Sequence, residues 1–132
     1  MVRYYDIDAA NARVHELRPV LVQLREDRDE IAQAQAELAR FRQSNGSSDH
    51  ASDLAERERR VRELVKRMEA AVAQIDAWSV TLRDIGSGLI DFPALLTGRP
   101  IWLCWRLGEG DIEWWHEYET GIAGRQPLSE LR

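Results

Sequence analysis

The strongest constraint on this chain is a seven-residue apolar repeat that occupies two long stretches on either side of one short polar break. In the first stretch Val14, Leu17, Leu21, Leu24, Ile31 and Leu38 follow heptad spacing, with Arg28 and Gln35 interrupting the seam. In the second, Leu54, Val61, Met68, Ile75 and Leu82 recur every seven residues, and Val65 and Val72 fill the alternate seam position. This period lines up side chains on one face of an α-helix and scatters them over both faces of a strand. The break, Gln43 to His50, is small and polar, and its Asn45-Gly46 pair favours positive φ. Asp6 or Asp8 is placed to cap the first helix and Ser48 or Ser52 the second, because each offers an oxygen to unpaired backbone N–H groups. Pro19 lacks a backbone donor and clashes with the carbonyl of His15, which predicts a bend in a helix that continues beyond it. The pattern predicts helices over 7–42 and 52–85, a loop over 43–51, and an antiparallel hairpin about 50 Å long at 1.5 Å per residue.

Composition changes at Gly86. The 85 residues before it hold one glycine and one proline; the 47 from Gly86 onward hold seven glycines, three prolines and four of the five tryptophans. Here Ile101–Leu107 and Ile112–Tyr118 have strand-like composition, and Gly108-Glu109-Gly110-Asp111 separates them as a turn. A tight turn sets a register in which partner numbers add to 219. Ile101 then faces Tyr118, Leu103 faces His116, Trp105 faces Trp114, and Leu107 faces Ile112. The opposite face pairs Trp102 with Glu117, Cys104 with Trp115, and Arg106 with Glu113. The expected fold is α+β and mostly α: one domain over 1–132, a long helical hairpin followed by a Trp-rich β-hairpin with loops over 86–132. Two helices and one hairpin enclose little core, so a second copy is expected to complete it as a homodimer.

Charge narrows the function classes. Acids outnumber bases by 23 to 18, and the excess is shared by both halves, leaving no basic stripe for nucleic acid. No apolar run reaches a membrane span of about 20 residues and no signal peptide opens the chain. A single cysteine excludes an intrachain disulfide and fits a cytoplasmic location.

Groups that carry chemistry gather in the last third. His116 and Glu109, with Asp91 or Cys104, are candidate ligands for a divalent transition metal, although no His-x-x-x-His or paired Cys-x-x-Cys spacing is present. The register above puts Cys104 and His116 on opposite faces, so one ion reaches both only through a bulge or a second subunit. As a core histidine, His116 would simply bond a carboxylate; as a small hydrophobe, Cys104 would simply fill space. Arg125 could clamp an anion or pair with Asp91. Trp102 and Trp115 on the amphipathic face would form an aromatic contact surface for a ligand or a protein partner.

The stretches Gly88-Leu89-Ile90-Asp91-Phe92-Pro93-Ala94, Gly98-Arg99, Leu103-Cys104-Trp105-Arg106-Leu107-Gly108-Glu109, Trp115-His116-Glu117 and Gly121-Ile122-Ala123-Gly124-Arg125-Gln126-Pro127-Leu128 carry a family resemblance, joined by Ala10-Asn11 and Glu16-Leu17-Arg18-Pro19 near the start. Together they resemble the bacterial domain-of-unknown-function family 2203. The resemblance implies a bacterial, cytoplasmic protein of long helices with a small β element, and it assigns no activity or site residue. Two readings therefore stand. One is an interaction or assembly module whose Trp-rich hairpin contacts a partner; the other is a metal- or small-ligand-binding protein, with enzymatic activity left open.

Overall fold

The computed structural model describes residues 3–44 and 49–131, with the side chains of 130 and 131 excepted. Helix α1 spans Ile7–Gln43 and helix α2 spans His50–Ala77, and they pack as a helical hairpin. Asp6 caps α1, accepting a bond from the Ala9 N–H at 2.7 Å. The turn expected at Asn45-Gly46 and the cap Ser48 lie outside the described residues, and Ser52 falls inside α2. The helix runs through Pro19 without a break.

The α1 seam is sharper than a strict heptad. Val14, Leu17, Leu21, Leu24, Asp27, Ile31 and Leu38 are buried, while Arg28 and Gln35 are on the surface. The polar group in the seam is therefore Asp27, because the step from Leu24 to Ile31 passes through position 27 on a straight helix. Its carboxylate accepts from Arg67 of α2 at 2.6 and 3.0 Å and from Gln23 at 2.9 Å. The bond from Arg67 holds the Asp27 carboxyl below the usual carboxylate range, against the opposing effect of burial. Removing the two partners has unequal effects. Arg67→Met strands a buried carboxylate and is expected to lower the melting temperature by several degrees; Asp27→Leu leaves only a half-exposed arginine free to solvent and is expected to cost less or stabilise. Because the folded carboxyl is depressed, its contribution is present above the ordinary carboxylate range near 4 and fades as pH falls through the folded value. Thermal melts of both variants at pH 7 and pH 3 check this, and equal losses at pH 7 would contradict it.

Helix α2 stops at Ala77, eight residues before the end expected from the heptad run. Ser79 adopts φ 60°, its N–H bonds the Asp76 carbonyl at 2.9 Å, and the Val80 N–H bonds the Ile75 carbonyl at 3.2 Å. This is a Schellman ending, with Ser79 in the position where glycine is usual and Val80 returning to the core beside Ile75. Leu82 thus belongs to a strand.

The C-terminal part is a five-stranded antiparallel meander, in sequential order β1 (Thr81–Asp84), β2 (Leu89–Leu96), β3 (Arg99–Trp105), β4 (Trp114–Glu117) and β5 (Gln126–Pro127). The β-hairpin expected from the sequence is its centre; β2 comes from the segment expected as loop, and β1 from residues expected as the last turn of the second helix. Gly88 makes the β1–β2 connection possible: it adopts φ +65°, and a Cβ there would lie 2.5 Å from Leu107. Pro93 is tolerated inside β2 because its backbone edge faces beyond the end of β1, where its carbonyl accepts from the Tyr5 N–H at 2.7 Å.

One face of the sheet packs on the helices. Ile90, Phe92, Ala94, Ile101, Leu103, Trp105 and Trp115 join Ala10, Val14, Leu17, Leu21, Leu24 and Ile75 in a single apolar cluster. One chain thus encloses a core, and the lack of one, which motivated pairing two copies, no longer holds. No described helix is long and apolar enough to cross a membrane.

Candidate functional site

The register of β3 against β4 decides the chemistry. The observed partners are Ile101 with Glu117, Trp102 with His116, Leu103 with Trp115 and Cys104 with Trp114, so partner numbers add to 218 and not 219. A slip of one residue turns every β4 side chain to the other face. The cause is the connection. No tight turn forms at Glu109-Gly110; pairing ends at Trp105 and resumes at Trp114. The intervening loop is pinned from several sides. The Trp105 indole N–H donates to the Gly110 carbonyl at 2.8 Å, the Ile112 N–H donates to Asn11 Oδ1 at 2.7 Å, and Arg18 donates to the Glu109 carbonyl at 3.3 Å.

The slip corrects two expectations and leaves a third in place. Trp115 moves from the presumed outer surface into the core, 4% exposed. Trp102 stays on the outer face, half-buried and stacked on Tyr118 with ring centroids 4.6 Å apart. Cys104 and His116, expected on opposite faces, now share the face turned away from the helices. Their common neighbour is Asp91 of β2, the direct partner of Cys104. All three are buried, and one potential ligand atom from each lies within 4.8 Å of the others.

Polar contacts within this cluster are specific. His116 Nδ1 lies 2.7 Å from the Glu117 carbonyl, and a carbonyl oxygen only accepts, so Nδ1 carries the ring proton. That leaves Nε2 facing Asp91 Oδ2 at 3.0 Å. Two lone pairs cannot bond each other; this contact requires a proton, on the ring or on the carboxyl, or a cation between the two atoms. Arg83 lies at a β1 bulge, where the register shifts between Leu82 and Asp84, and its Nε donates to the same Asp91 Oδ2 at 2.8 Å. Asp91 Oδ1 is buried and has no hydrogen-bond partner. A bare carboxylate oxygen beside an imidazole and a thiol is a donor atom with spare capacity.

Burial, and secondarily the Asp91 carboxylate, push the Cys104 thiol up to about 11, with Arg125 pulling the other way. The free thiol is therefore neutral at pH 7 and a poor nucleophile. Alkylation of Cys104 in the native, metal-free protein is expected to be far slower than in the urea-unfolded chain; equal rates would contradict the burial. The sign for stability follows: the neutral thiol is favoured in the fold, so the contribution is complete below the ordinary value of 9.0 and is lost as pH rises toward 11.

Glu109 lies outside the cluster. Its carboxylate accepts from Arg125 at 2.7 Å and from the Arg106 N–H at 2.8 Å. Burial works to raise this carboxyl, but the bonds from Arg125 and from the Arg106 backbone outweigh it and hold it below its usual value. Arg125 accordingly pairs with Glu109 and not with Asp91, and its guanidinium lies over Trp114 at 5.1 Å. These two residues fasten the C-terminal segment over the outer face of the sheet. Between Tyr118 and Ile122 the segment walls a cavity of about 370 Å³ whose lining includes Asp91, His116, Arg83 and Leu89. Arg83 is the contribution that sequence reading missed, since it carries no motif at all, whereas Asp91 was a candidate whose place beside Cys104 and His116 was not foreseen.

Comparison with known proteins gives one match. The family described as "Uncharacterized conserved protein (DUF2203)" matches residues 3–128. No curated protein matches, and no solved structure matches.

Proposed function

Starting from the fact that this chain belongs to the uncharacterised conserved family DUF2203, we propose that it is a metal-binding protein, holding one divalent transition ion through Asp91, Cys104 and His116. The observation that carries this reading is the convergence of one oxygen, one sulfur and one nitrogen donor from three adjacent strands at a buried point on one sheet face. Mixed O, S and N donors suit zinc and its neighbours. A tetrahedral zinc ion, with bonds of about 2.0–2.3 Å, separates its ligand atoms by about 3.3–3.6 Å. The three atoms already lie within 4.8 Å of one another, with His116 Nε2 and Asp91 Oδ2 3.0 Å apart, so the separations are close to that range in the present strand register. The bond from His116 Nδ1 to the Glu117 carbonyl is the outer-shell contact that a ligating histidine commonly makes, leaving Nε2 for the ion. Three protein ligands would leave a fourth position open, and two of the three, Asp91 and His116, line the 370 Å³ cavity from which a ligand could reach it.

The alternative of a Trp-rich contact surface draws less support. Trp105 and Trp115 are in the core, Trp102 is stacked on Tyr118, Trp114 lies under Arg125, and no tryptophan is among the exposed large apolar side chains.

Cobalt substitution tests the metal reading. Titrating metal-free protein with Co²⁺ should give one equivalent bound and a thiolate-to-cobalt charge-transfer band in the near ultraviolet. Cys104→Ser should lose that band. Saturation without the band, or no uptake at all, would defeat the assignment.

A further inference from the structure

We infer that the cavity above this centre is a binding site for a small monocarboxylate, whose carboxylate bridges the ion and Arg83; the inference rests on the metal reading above. Arg83 is the first ground. Its Nε is committed to Asp91 and its guanidinium lies 4.9 Å from the Trp102 ring centroid, yet its remaining N–H groups have no partner among the described residues and its side chain is 42% exposed. A stacked, pre-oriented guanidinium with a free donor edge is built to receive a carboxylate or phosphate. The second ground is the cavity itself. About 370 Å³ is at the small end for ligand pockets, and Arg83, Asp91 and His116 line it together. One ligand group there can thus meet the guanidinium and the open metal position at once.

The rest of the lining sets the ligand class. Leu89, Ile122 and the Tyr118 ring offer apolar wall, which favours a ligand with a hydrocarbon or aromatic body. Glu119 also lines the cavity. Its charge opposes a second negative charge on the ligand, which disfavours a phosphate dianion relative to a carboxylate. At the centre itself the ion is balanced by Asp91 and a Cys104 thiolate, so Arg83 is the positive side chain in the lining that faces a ligand carboxylate. Arg125 is not available for that purpose, since it is paired with Glu109.

The test uses the full chain loaded with zinc, with metal content measured on each sample. Benzoate, hexanoate, methyl benzoate and inorganic phosphate are titrated by calorimetry. Benzoate and hexanoate are expected to saturate one site, methyl benzoate is expected not to bind, and phosphate is expected to bind at least tenfold more weakly. Arg83→Gln should weaken benzoate by about 10–100-fold when zinc is supplied at a concentration that restores full metal loading of the variant. Ile122→Glu places a second negative charge at an exposed position on the cavity wall and should also weaken it, more so at low salt. Full metal content with no carboxylate saturation, phosphate binding as tight as benzoate, or an Arg83→Gln protein that binds benzoate normally would each overturn the inference. If the wild type takes up no metal, the metal reading has failed separately, and benzoate binding to that protein then decides on Arg83 alone: Arg83-dependent saturation retains the anion site, and its absence removes it.

Discussion

Zinc in excess is expected to raise the melting temperature of the wild-type chain by on the order of 10 °C, and to leave Asp91→Asn, Cys104→Ala and His116→Ala unmoved. An ion that binds only the folded chain stabilises it by about 2.7 kcal/mol at a hundredfold excess over its dissociation constant. For a domain of 132 residues, each kcal/mol corresponds to roughly 3–6 °C. The variants should differ in a second respect. Without metal, the cluster carries an unpartnered buried oxygen on Asp91 beside a thiol that burial holds neutral, so removing the thiol costs the fold little more than its small apolar volume. Cys104→Ala is therefore expected to melt within a few degrees of the metal-free wild type while losing the entire response to zinc. A purely structural cysteine would show the reverse, a lowered melting temperature and an intact response. For His116→Ala, zinc affinity should fall by at least about 100-fold, since losing even an outer-shell partner of a ligand costs about 10–100-fold. Differential scanning fluorimetry with and without zinc distinguishes these outcomes.

Trp105→Ala is the substitution expected to damage the fold most. Trp105 is fully buried, pairs across the sheet with Ile90, and ties its indole N–H to Gly110. Truncating a buried tryptophan costs about 3–5 kcal/mol, and losing the indole bond to the Gly110 carbonyl, which keeps Arg18 and solvent as donors, adds at most about 1 kcal/mol. Against a total stability of about 5–15 kcal/mol, that is enough to leave the chain marginal at 37 °C. Trp105→Phe separates the two contributions. It keeps most of the apolar volume and loses the bond that anchors the loop, so its loss should be about 1–2 kcal/mol. Urea denaturation of the three proteins measures both, and a Trp105→Ala midpoint close to wild type would refute the account.

The helical hairpin was legible because its signal is redundant. Leu17, Leu21, Leu24 and Ile31 each repeat the same periodicity, and no single exception obscures it. The end of α2 was not legible, because a serine holds the left-handed position that glycine usually marks, and Leu82 continues the heptad by coincidence. That heptad reading also hid β1, while β2 was hidden for a different reason. A central strand buried on both faces reads as an unbroken apolar run, and the Gly88 and Pro93 that bracket Asp91 look like loop punctuation. The candidate ligands Cys104, His116 and Asp91 were visible as residue types, but their convergence was not. It turns on the parity of one loop, and that parity is set by Asn11 and Arg18, about a hundred positions away in the chain. Glu109 looked equivalent to the others by composition, and only its pairing with Arg125 reveals its different role.

The sequential strand order also bears on how the chain folds. Every strand pairs with its neighbour in sequence, and the two helices pack on each other, so most native pairings close short loops and form quickly. The apolar cluster joins distant parts of the chain, as do hydrogen bonds such as Tyr5 to Pro93, Asn11 to Ile112 and Arg18 to Glu109. Docking of the helical hairpin onto the meander is then the late event, and it is the event that chooses between the two registers of β3 and β4. Until α1 is seated, the hairpin is free to sample the arrangement in which Cys104 and His116 point apart. The ion would therefore select only chains whose first helix has already arrived, making metal capture a report on completed folding.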